Sequence, residues 1–352
     1  MKKNNLAKVL VTLLIIITFL VAMLNFVFQP IKDIYIEKPG TANDLKSIVT
    51  VNGQKDKQKG EFRLTSVGIM QATPFFYINS LFSPIDSYVS QESLMGNANM
   101  EEYDKLQQYF MESSENNAKM MALKLAGKEY EMKYEGVYVM DVNSDSNFVN
   151  KLQMGDLITG VNHQKFDSAD EMIKYITSGK VGDKISVQFK RNGKDKEVTG
   201  KLKLVKGLGK PGIGVGLVTK TSVISPDKIK IDVGSIGGPS AGMMFTLEAY
   251  EMLTGKDLRH GQNIAGTGEM LRDGKIGRIG GIDKKVVAAE EAGSTIFLAP
   301  DDEITAEMKK LDPTIKSNYE EAKETAKKLN LNIKVVPVKT IEDAIQYLEN
   351  SK

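Results

Sequence analysis

Two short stretches in the C-terminal half decide the fold: Gly237-Gly238-Pro239-Ser240-Ala241-Gly242 and Gly280-Gly281-Ile282-Asp283-Lys284-Lys285. The first supplies a serine, and the second supplies a lysine. A serine hydroxyl is a weak nucleophile at its own pKa and needs a base beside it. A lysine whose charged form is disfavoured by burial can be that base. Together the two stretches predict a nucleophile and its general base.

The residues around Ser240 favour a position at the start of a helix. Pro239 suits the first helical position, where its missing N–H costs nothing, and the glycines before it allow a sharp turn. Free backbone N–H groups and the positive end of the helix dipole would then stabilise a developing oxyanion. Taken alone, the same residues also fit an ordinary glycine-rich helix start.

Other catalytic and metal-binding arrangements find little support in the composition. The chain has two histidines, His163 and His260, and neither is flanked by carboxylates in a way that suggests a Ser/His/Asp site. Cysteine is absent, which excludes thiol catalysis, thiolate metal sites and disulfides. We therefore expect neither a cofactor nor a metal.

The charge balance argues against nucleic acid as a partner. The chain has 352 residues, of which 41% are hydrophobic and 26% charged, and a formal net charge of +2. This length suits two or three folded domains. Because the charge is close to neutral and no basic stripe is interleaved with aromatic residues, nucleic-acid binding is not expected.

The N-terminus predicts a membrane anchor. Three lysines precede the uncharged run 9–28, which as a helix is about 30 Å long and matches a bilayer core. The competing interpretation is a cleaved signal peptide, but the run is long and Asn25-Phe26-Val27-Phe28 lacks a small-x-small cleavage pattern. We expect residues 1–8 in the cytoplasm, residues 9–28 as a single-pass anchor in the cell membrane, and the rest of the chain outside the cell.

The region 29–126 is expected to begin with strands and to end in a helix. Tyr35–Gly40 resembles a turn, and 45–51 with 61–67 resembles a hairpin around a polar turn. Residues 100–126, rich in Met, Ala, Leu and Glu, predict a helix.

The region 127–206 changes character, with short β runs and one helix. Its segment Leu152-Gln153-Met154-Gly155-Asp156-Leu157-Ile158, together with Gly136-Val137-Tyr138-Val139, resembles a PDZ domain of the bacterial type. This resemblance implies that Gly136, Val137, Tyr138 and Val139 form the peptide-binding loop and edge strand, with the helix 168–176 as the opposite wall. The alternative is a packed β module without a ligand.

The region 207–352 alternates helix and strand, which is typical of an α/β domain. Its two opening motifs, together with Thr267-Gly268-Glu269, resemble the Lon protease domain in order and approximate spacing. The resemblance implies that Ser240 is the nucleophile and Lys285 the general base, with Thr267 close to the lysine. Lys284 is then expected to be solvated. The family's acidic residue before Gly-Pro-Ser is replaced by Gly237.

The resemblance extends to the N-terminal side of the PDZ-like region. Lys59–Thr65 is similar to a Lon strand, and Met111-Glu112-Ser113-Ser114 is similar to a Lon helix. We therefore expect an α+β Lon-type protease domain (29–126 and 207–352) into which a mostly-β PDZ domain is inserted.

The sequence contains no Gly-x-x-x-x-Gly-Lys-Ser/Thr phosphate-binding pattern. The chain thus resembles the membrane-anchored, PDZ-containing Lon-like proteases of Gram-positive bacteria. The resemblance implies an ATP-independent serine endopeptidase that acts on peptides, flexible tails or unfolded chains, with a homo-oligomer possible. A carboxyl-terminal processing protease and a catalytically silent peptide-binding scaffold are the alternatives.

Overall fold

The structure is a computed structural model that describes the backbone of residues 2–96, 98–205 and 208–351, and the side chains of residue 8 and of 10 onward within those ranges. The predicted junction at 206 and 207 lies outside the described residues.

The chain begins with one long apolar helix, α1 (Lys2–Phe28). Its segment Leu10–Phe28 has a mean hydropathy of 2.8, and none of its residues is buried inside the protein. By length and composition this helix can cross a membrane.

The first flank combines strands with a long helix. Its elements are β1 Ile34–Asp44, β2 Val49–Val51, β3 Gln54–Lys55, β4 Glu61–Gln71, α2 Pro74–Ser80, β5 Ser87–Ser90, α3 Gln91–Met95 and α4 Met100–Leu125. The start of α4 is fixed by a capping box, in which Asn99 and Glu102 exchange side-chain to backbone hydrogen bonds. The predicted helix over 100–126 therefore agrees with α4.

Two predictions for this flank are wrong. The expected turn at Tyr35–Gly40 lies inside β1, where the chain stays extended and only shifts register between Pro39 and Ala42. The expected hairpin between 45–51 and 61–67 does not form. Instead β2 turns back onto the short β3, and β4 pairs with β1. Strand β4 pairs with β1 rather than with the nearer β2 because β1 and β4 are both eleven residues long and pair from Tyr35–Gln71 to Asp44–Arg63, whereas β2 has only three residues.

The middle region is a five-stranded sheet with one helix. Its elements are β6 Glu131–Val142, β7 Leu157–Val161, α5 Ala169–Thr177, β8 Lys184–Arg191, β9 Lys194–Lys201, β10 Lys203–Val205, β11 Lys210–Gly212 and β12 Val215–Ile224. The strand order is β12-β6-β7-β8-β9, around a core that includes Phe148, Ile158 and Phe189.

The boundary predicted at residue 206 needs correction. Strand β12 lies beyond it but pairs with β6 along its whole length, from Val215 to Ile224. The middle region therefore leaves the flank near Glu129 and returns near Ser225, where the Ser225 hydroxyl donates to the Glu129 carbonyl at 2.6 Å.

The second flank alternates strands and helices. Its elements are β13 Ile229–Ile231, a 3₁₀ turn Pro239–Ala241, α6 Gly242–Thr254, β14 Asn263–Gly266, β15 Glu269–Met270, β16 Ile276–Gly277, α7 Ile282–Glu291, β17 Ile296–Pro300, α8 Ala306–Leu311, α9 Asn318–Lys328, β18 Lys334–Val338 and α10 Ile341–Asn350.

The two flanks share one sheet and one core. The main sheet has the order β18-β17-β14-β4-β1-β5, in which β14 of the second flank pairs in parallel with β4 of the first. Phe62, Met121 and Phe245 come from both sides of the middle region and lie in the same buried cluster. This shared sheet places α4, α6 and α7 around the candidate site.

Candidate active site

Ser240 lies in a tight turn that leads into α6. Gly238 has φ of +91°, a conformation open to glycine, and Pro239 then begins the 3₁₀ turn that contains Ser240. Because no side chain caps the start of α6, the positive end of this helix remains next to the serine. The predicted helix-start setting of Ser240 is therefore present, with one 3₁₀ turn before the α-helix.

Helix α4 holds this turn from the side. The Gly238 N–H donates to the Gln107 carbonyl at 2.8 Å, and the Ser114 hydroxyl donates to the Pro239 carbonyl at 2.7 Å. A Cβ on Gly237 would lie 2.6 Å from the Cβ of Gln107, so α4 leaves no room for a side chain there. The close approach of α4 explains why glycine replaces the acidic residue of the Lon motif.

Lys285 reaches Ser240 from α7. Its Nζ lies 2.7 Å from the Ser240 Oγ and 3.1 Å from the Thr267 Oγ1, and only 4% of the residue is exposed. Residues 284 and 285 point about 100° apart on a helix, so only one of them faces the serine. The structure brings together all three residues predicted from the sequence motifs.

Thr267 contacts both the amine and the serine backbone. Its hydroxyl donates to the Ser240 carbonyl at 3.1 Å. Because that hydroxyl has one hydrogen, its lone pairs remain to accept an N–H from Lys285. This leaves the lone pair of a neutral Lys285 amine free to point at the Ser240 hydroxyl.

Burial, rather than a neighbouring charge, sets the proton affinity of the lysine. Desolvation lowers the pKa of Lys285 to about 7, because the low-polarity surroundings disfavour the ammonium form. A large share of the amine is then neutral at neutral pH. A neutral amine within hydrogen-bond distance of a serine hydroxyl is chemically a general base.

The expectation that Lys284 is solvated is wrong. This residue is only 5% exposed, and its Nζ pairs with Asp283 at 2.7 Å. Burial raises the pKa of Glu321 on α9, and the positive charge of Lys284 is one of the charges that oppose this rise. Lys284 is therefore a packed and paired lysine whose side chain turns away from Ser240.

The serine opens into a cleft of about 910 Å³. One wall is the stretch of β4 from Leu64 to Ile69, and another is the face of α4 that carries Tyr103 and Gln107. Strand β14 pairs with β4 only as far as Leu64. Past this point, that side of β4 has no strand partner in the described part of the chain, and its residues 65–67 and 69 line the cleft.

Sequence reasoning missed the role of Gln107. The motif resemblance drew attention to Ser114, but nothing marked Gln107, whose contact is made by its backbone carbonyl. Helical spacing could have indicated this contact, because positions 107, 111 and 114 lie on one face of a helix, so Gln107 lies on the same side of α4 as Ser114.

The prediction that Gly136–Val139 form a free peptide-binding edge needs correction. Strand β6 lies inside the sheet, between β12 and β7, so it offers no free edge. Val137 and Val139 are fully buried, and a Cβ on Gly136 would lie 2.2 Å from the Ile158 carbonyl oxygen. Tyr138 faces away from α5 and stacks on Tyr109 of α4. The edge strands of the described sheet are β12 and β9, and β12, which the sequence prediction had placed outside this domain, is the one that covers β6.

Among the described residues no group of three or more His, Cys, Asp or Glu side chains is placed to hold a metal ion. The candidate site brings together the side chains of Ser240, Thr267 and Lys285.

Two family models match this chain. Residues 217–348 match the Lon protease (S16) C-terminal proteolytic domain, and residues 123–202 match the PDZ domain. The chain therefore carries a Lon-type proteolytic domain and a PDZ domain, joined to a candidate membrane helix.

Individual relatives agree with this assignment. A Lon protease from Desulforamulus reducens is 41% identical over 76 residues, which covers 21% of this chain and 9% of the relative. A Lon protease from Neorickettsia sennetsu is 29% identical over 110 residues, covering 31% of this chain and 11% of the relative. The mitochondrial Lon protease homolog of Homo sapiens is 41% identical over 63 residues, covering 18% and 6%. The chain spans about a tenth of the length of the curated relatives it matches.

Parts of this chain are similar to solved structures. The PDZ domain of an SdrC-like protein from Listeria monocytogenes is 42% identical and covers 24% of this chain and 90% of that chain, with a TM-score of 0.23. A solution structure from Geobacillus thermodenitrificans is 29% identical and covers 23% of this chain and 95% of that chain, with a TM-score of 0.22.

Proposed function

We propose that this protein is a membrane-anchored, ATP-independent serine endopeptidase with a Ser/Lys dyad. The observation that carries the proposal is the 2.7 Å separation between the Ser240 Oγ and the buried Lys285 Nζ. The match to the Lon proteolytic domain supports the same reaction class.

In the first step, the neutral Lys285 amine takes the Ser240 proton as the Oγ attacks the scissile carbonyl carbon. The resulting oxyanion develops near the positive end of α6, where helix N–H groups stabilise negative charge. Lys285, now an ammonium, gives its proton to the leaving amine when the C–N bond breaks. In the second step, the same amine takes a proton from a water that attacks the acyl carbon, and it returns this proton to the Ser240 Oγ as the ester C–O bond breaks.

The cleft suits an extended substrate. The unpaired side of β4 beyond Leu64 offers backbone donors and acceptors to a peptide that adds as another strand beside Ser240. A folded protein cannot present its chain in this way. Because the sequence carries no phosphate-binding loop pattern, we propose that substrates are peptides, flexible tails, small membrane proteins or already unfolded chains.

We propose that the PDZ domain selects or gates substrates through β12. Its outer edge has no strand partner in the described part of the chain, and α5 lies across the turn before it, against β11. A peptide that adds to Val215–Lys220 would extend the sheet in the usual PDZ manner. The Thr221 carbonyl already accepts a hydrogen bond from the Asn116 side chain of α4, so the edge open to a peptide ends before Thr221.

The membrane arrangement follows from α1. The length and apolar composition of its segment Leu10–Phe28 support a single-pass anchor. The lysines that precede this segment favour a cytoplasmic N-terminus and an extracellular catalytic region.

An active-site serine probe tests the proposal. A fluorophosphonate should label the wild-type chain and should fail to label Ser240→Ala, which removes one oxygen and little packing. The same variant should stop cleavage of a flexible peptide while its thermal unfolding stays unchanged. Persistent failure to label the wild-type chain, alongside intact peptide binding by the PDZ domain, would instead support the silent scaffold.

A further inference from the structure

An exposed apolar surface lies next to the end of α1. Residues 72–85 contain no charged side chain, and they fold as α2 and the turn that follows it. Large apolar side chains of this segment are exposed: Phe75 48%, Ile78 57%, Leu81 60% and Phe82 84%. We call these four residues the α2 patch. Contiguous exposed apolar residues on a soluble surface mark a binding site.

The α2 patch is continuous with the candidate membrane helix. The Phe75 ring packs against Phe28 at the end of α1, with ring centroids 5.4 Å apart. The connection between α1 and β1 is short and fixed, because the Ile31 N–H donates to the Ala72 carbonyl at 2.7 Å and the Ala72 N–H donates to the Ile34 carbonyl at 2.9 Å. The patch therefore cannot move far from the membrane-side end of α1.

Two tyrosines beside the patch have the character of interfacial residues. Tyr77 and Tyr88 stack at 4.6 Å and remain partly exposed, and the Tyr88 hydroxyl shares hydrogen bonds with Ser80 and the Tyr77 carbonyl. Tyrosine is enriched where an apolar ring meets the lipid and its hydroxyl meets the polar headgroups. Tyr77 and Tyr88 thus border the apolar patch on its polar side.

We propose that the α2 patch inserts into the interface of the bilayer that α1 crosses. A lipid surface fits better than a second copy of the chain, because the patch continues an apolar surface that begins on α1. Short apolar segments with aromatic residues bind at the boundary between headgroups and acyl chains.

Docking would hold the cleft at a fixed, small height above the membrane. Strand β5 follows the patch and pairs with the start of β1, where the Ser87 hydroxyl donates to Glu37. Glu37 in turn lines the cleft that contains Ser240. The protease would then act on chain segments that emerge from the same membrane. This inference rests on the membrane anchoring proposed above.

The absence of tryptophan from the sequence allows a direct test. Full-length Phe82→Trp is reconstituted into vesicles of phosphatidylcholine and phosphatidylglycerol, with and without brominated lipids that quench tryptophan on contact. Leu311→Trp is the matched control, since Leu311 is 90% exposed and lies between Lys310 and Asp312. Leu14→Trp reports on α1 itself. Leu81→Trp repeats the measurement in case one substitution disturbs the turn.

The inference predicts that the Phe82→Trp protein shows blue-shifted emission and loses most of it with brominated lipids, while the Leu311→Trp control keeps its emission. Unquenched, red-shifted emission from both patch reporters would overturn docking. Blue-shifted emission without quenching would also overturn it, because a second protein surface would then cover the patch. If the Leu14→Trp reporter is unquenched as well, the anchoring itself fails.

Discussion

The PDZ domain leaves and re-enters the proteolytic region at two touching points, which predicts where it can be removed. Glu129 and Ser225 already share a hydrogen bond of 2.6 Å. Removal of residues 131–224, with Tyr130 joined to Ser225 by a short glycine linker, should therefore leave a folded proteolytic region. Removal of 130–204 should not, because it keeps β12 but deletes β6, the strand with which β12 pairs from Val215 to Ile224.

The removal of 131–224 is the longer deletion, and the removal of 130–204 is the shorter one. The stability lost in the longer deletion can be worked out from the contacts that it removes. The stack of Tyr109 on Tyr138 is worth about 0.5–1.5 kcal/mol. The hydrogen bond from Asn116 to the Thr221 carbonyl is worth about 1 kcal/mol. The partly exposed ion pair between Lys220 and α4 adds at most about 1 kcal/mol. These three contacts sum to about 1.5–3.5 kcal/mol, which is smaller than the total stability of about 5–15 kcal/mol typical of a domain.

Urea unfolding followed by circular dichroism measures the stability, and fluorophosphonate labelling of Ser240 reports the site. The longer deletion should unfold cooperatively, with a midpoint lowered by the loss above, and should still label. The shorter deletion should aggregate through its unpaired strand. A folded, labelled shorter deletion beside an unfolded longer one would refute this placement of the domain boundary.

Three further predictions concern single side chains. Thr267→Val keeps the volume but removes the acceptor for Lys285, so the cleavage rate should fall about tenfold or more through misplacement of the amine, while Thr267→Ser restores it; pH–rate profiles of both variants check this. Gly237→Asp should lose cleavage because its Cβ would lie 2.6 Å from the Gln107 Cβ, and adding Gln107→Gly should recover part of the rate. Glu248 is fully buried, and burial raises its pKa from 4.5 to about 8. Folding therefore favours the protonated carboxyl, and the stability of the protein falls as the pH rises from 4.5 through about 8. Glu248→Gln should therefore unfold at a higher temperature than the wild type above pH 8 and at nearly the same temperature near pH 5; an equal difference at both values would contradict the assigned proton.

The residues of the candidate site could be predicted from local sequence motifs, whereas strand pairing between distant segments could not. Ser240, Thr267 and Lys285 lie together as predicted. Glycines and a proline indicated the turn at Ser240, and the resemblance to the Lon motif indicated Lys285 rather than Lys284. The β1–β4 pairing was missed because a strand's partner is chosen by packing over the whole sheet rather than by the nearest turn.

The PDZ edge was misplaced for a related reason. Gly136–Val139 has the residues of a strand, but the sequence does not show that β12, found after a glycine-rich segment, covers its free side. Similarly, the sequence around Lys284 does not show that this lysine is buried. In both cases the structure differs from the prediction because segments distant in sequence cover the residues concerned.

The most direct test of the Ser/Lys dyad is the cleavage of one flexible peptide as a function of pH by three proteins: the wild type, Lys285→Arg and Lys284→Arg. Both substitutions keep a positive charge, but arginine stays protonated at any usable pH and cannot accept the serine proton. The wild-type kcat/KM should rise with pH through about 7, the value to which burial lowers the pKa of Lys285. Lys284→Arg, which can keep its ion pair with Asp283, should follow the same curve, while Lys285→Arg should show no cleavage at any pH. An active Lys285→Arg protein, or a wild-type rate that does not change between mildly acidic and mildly alkaline pH, would contradict the dyad.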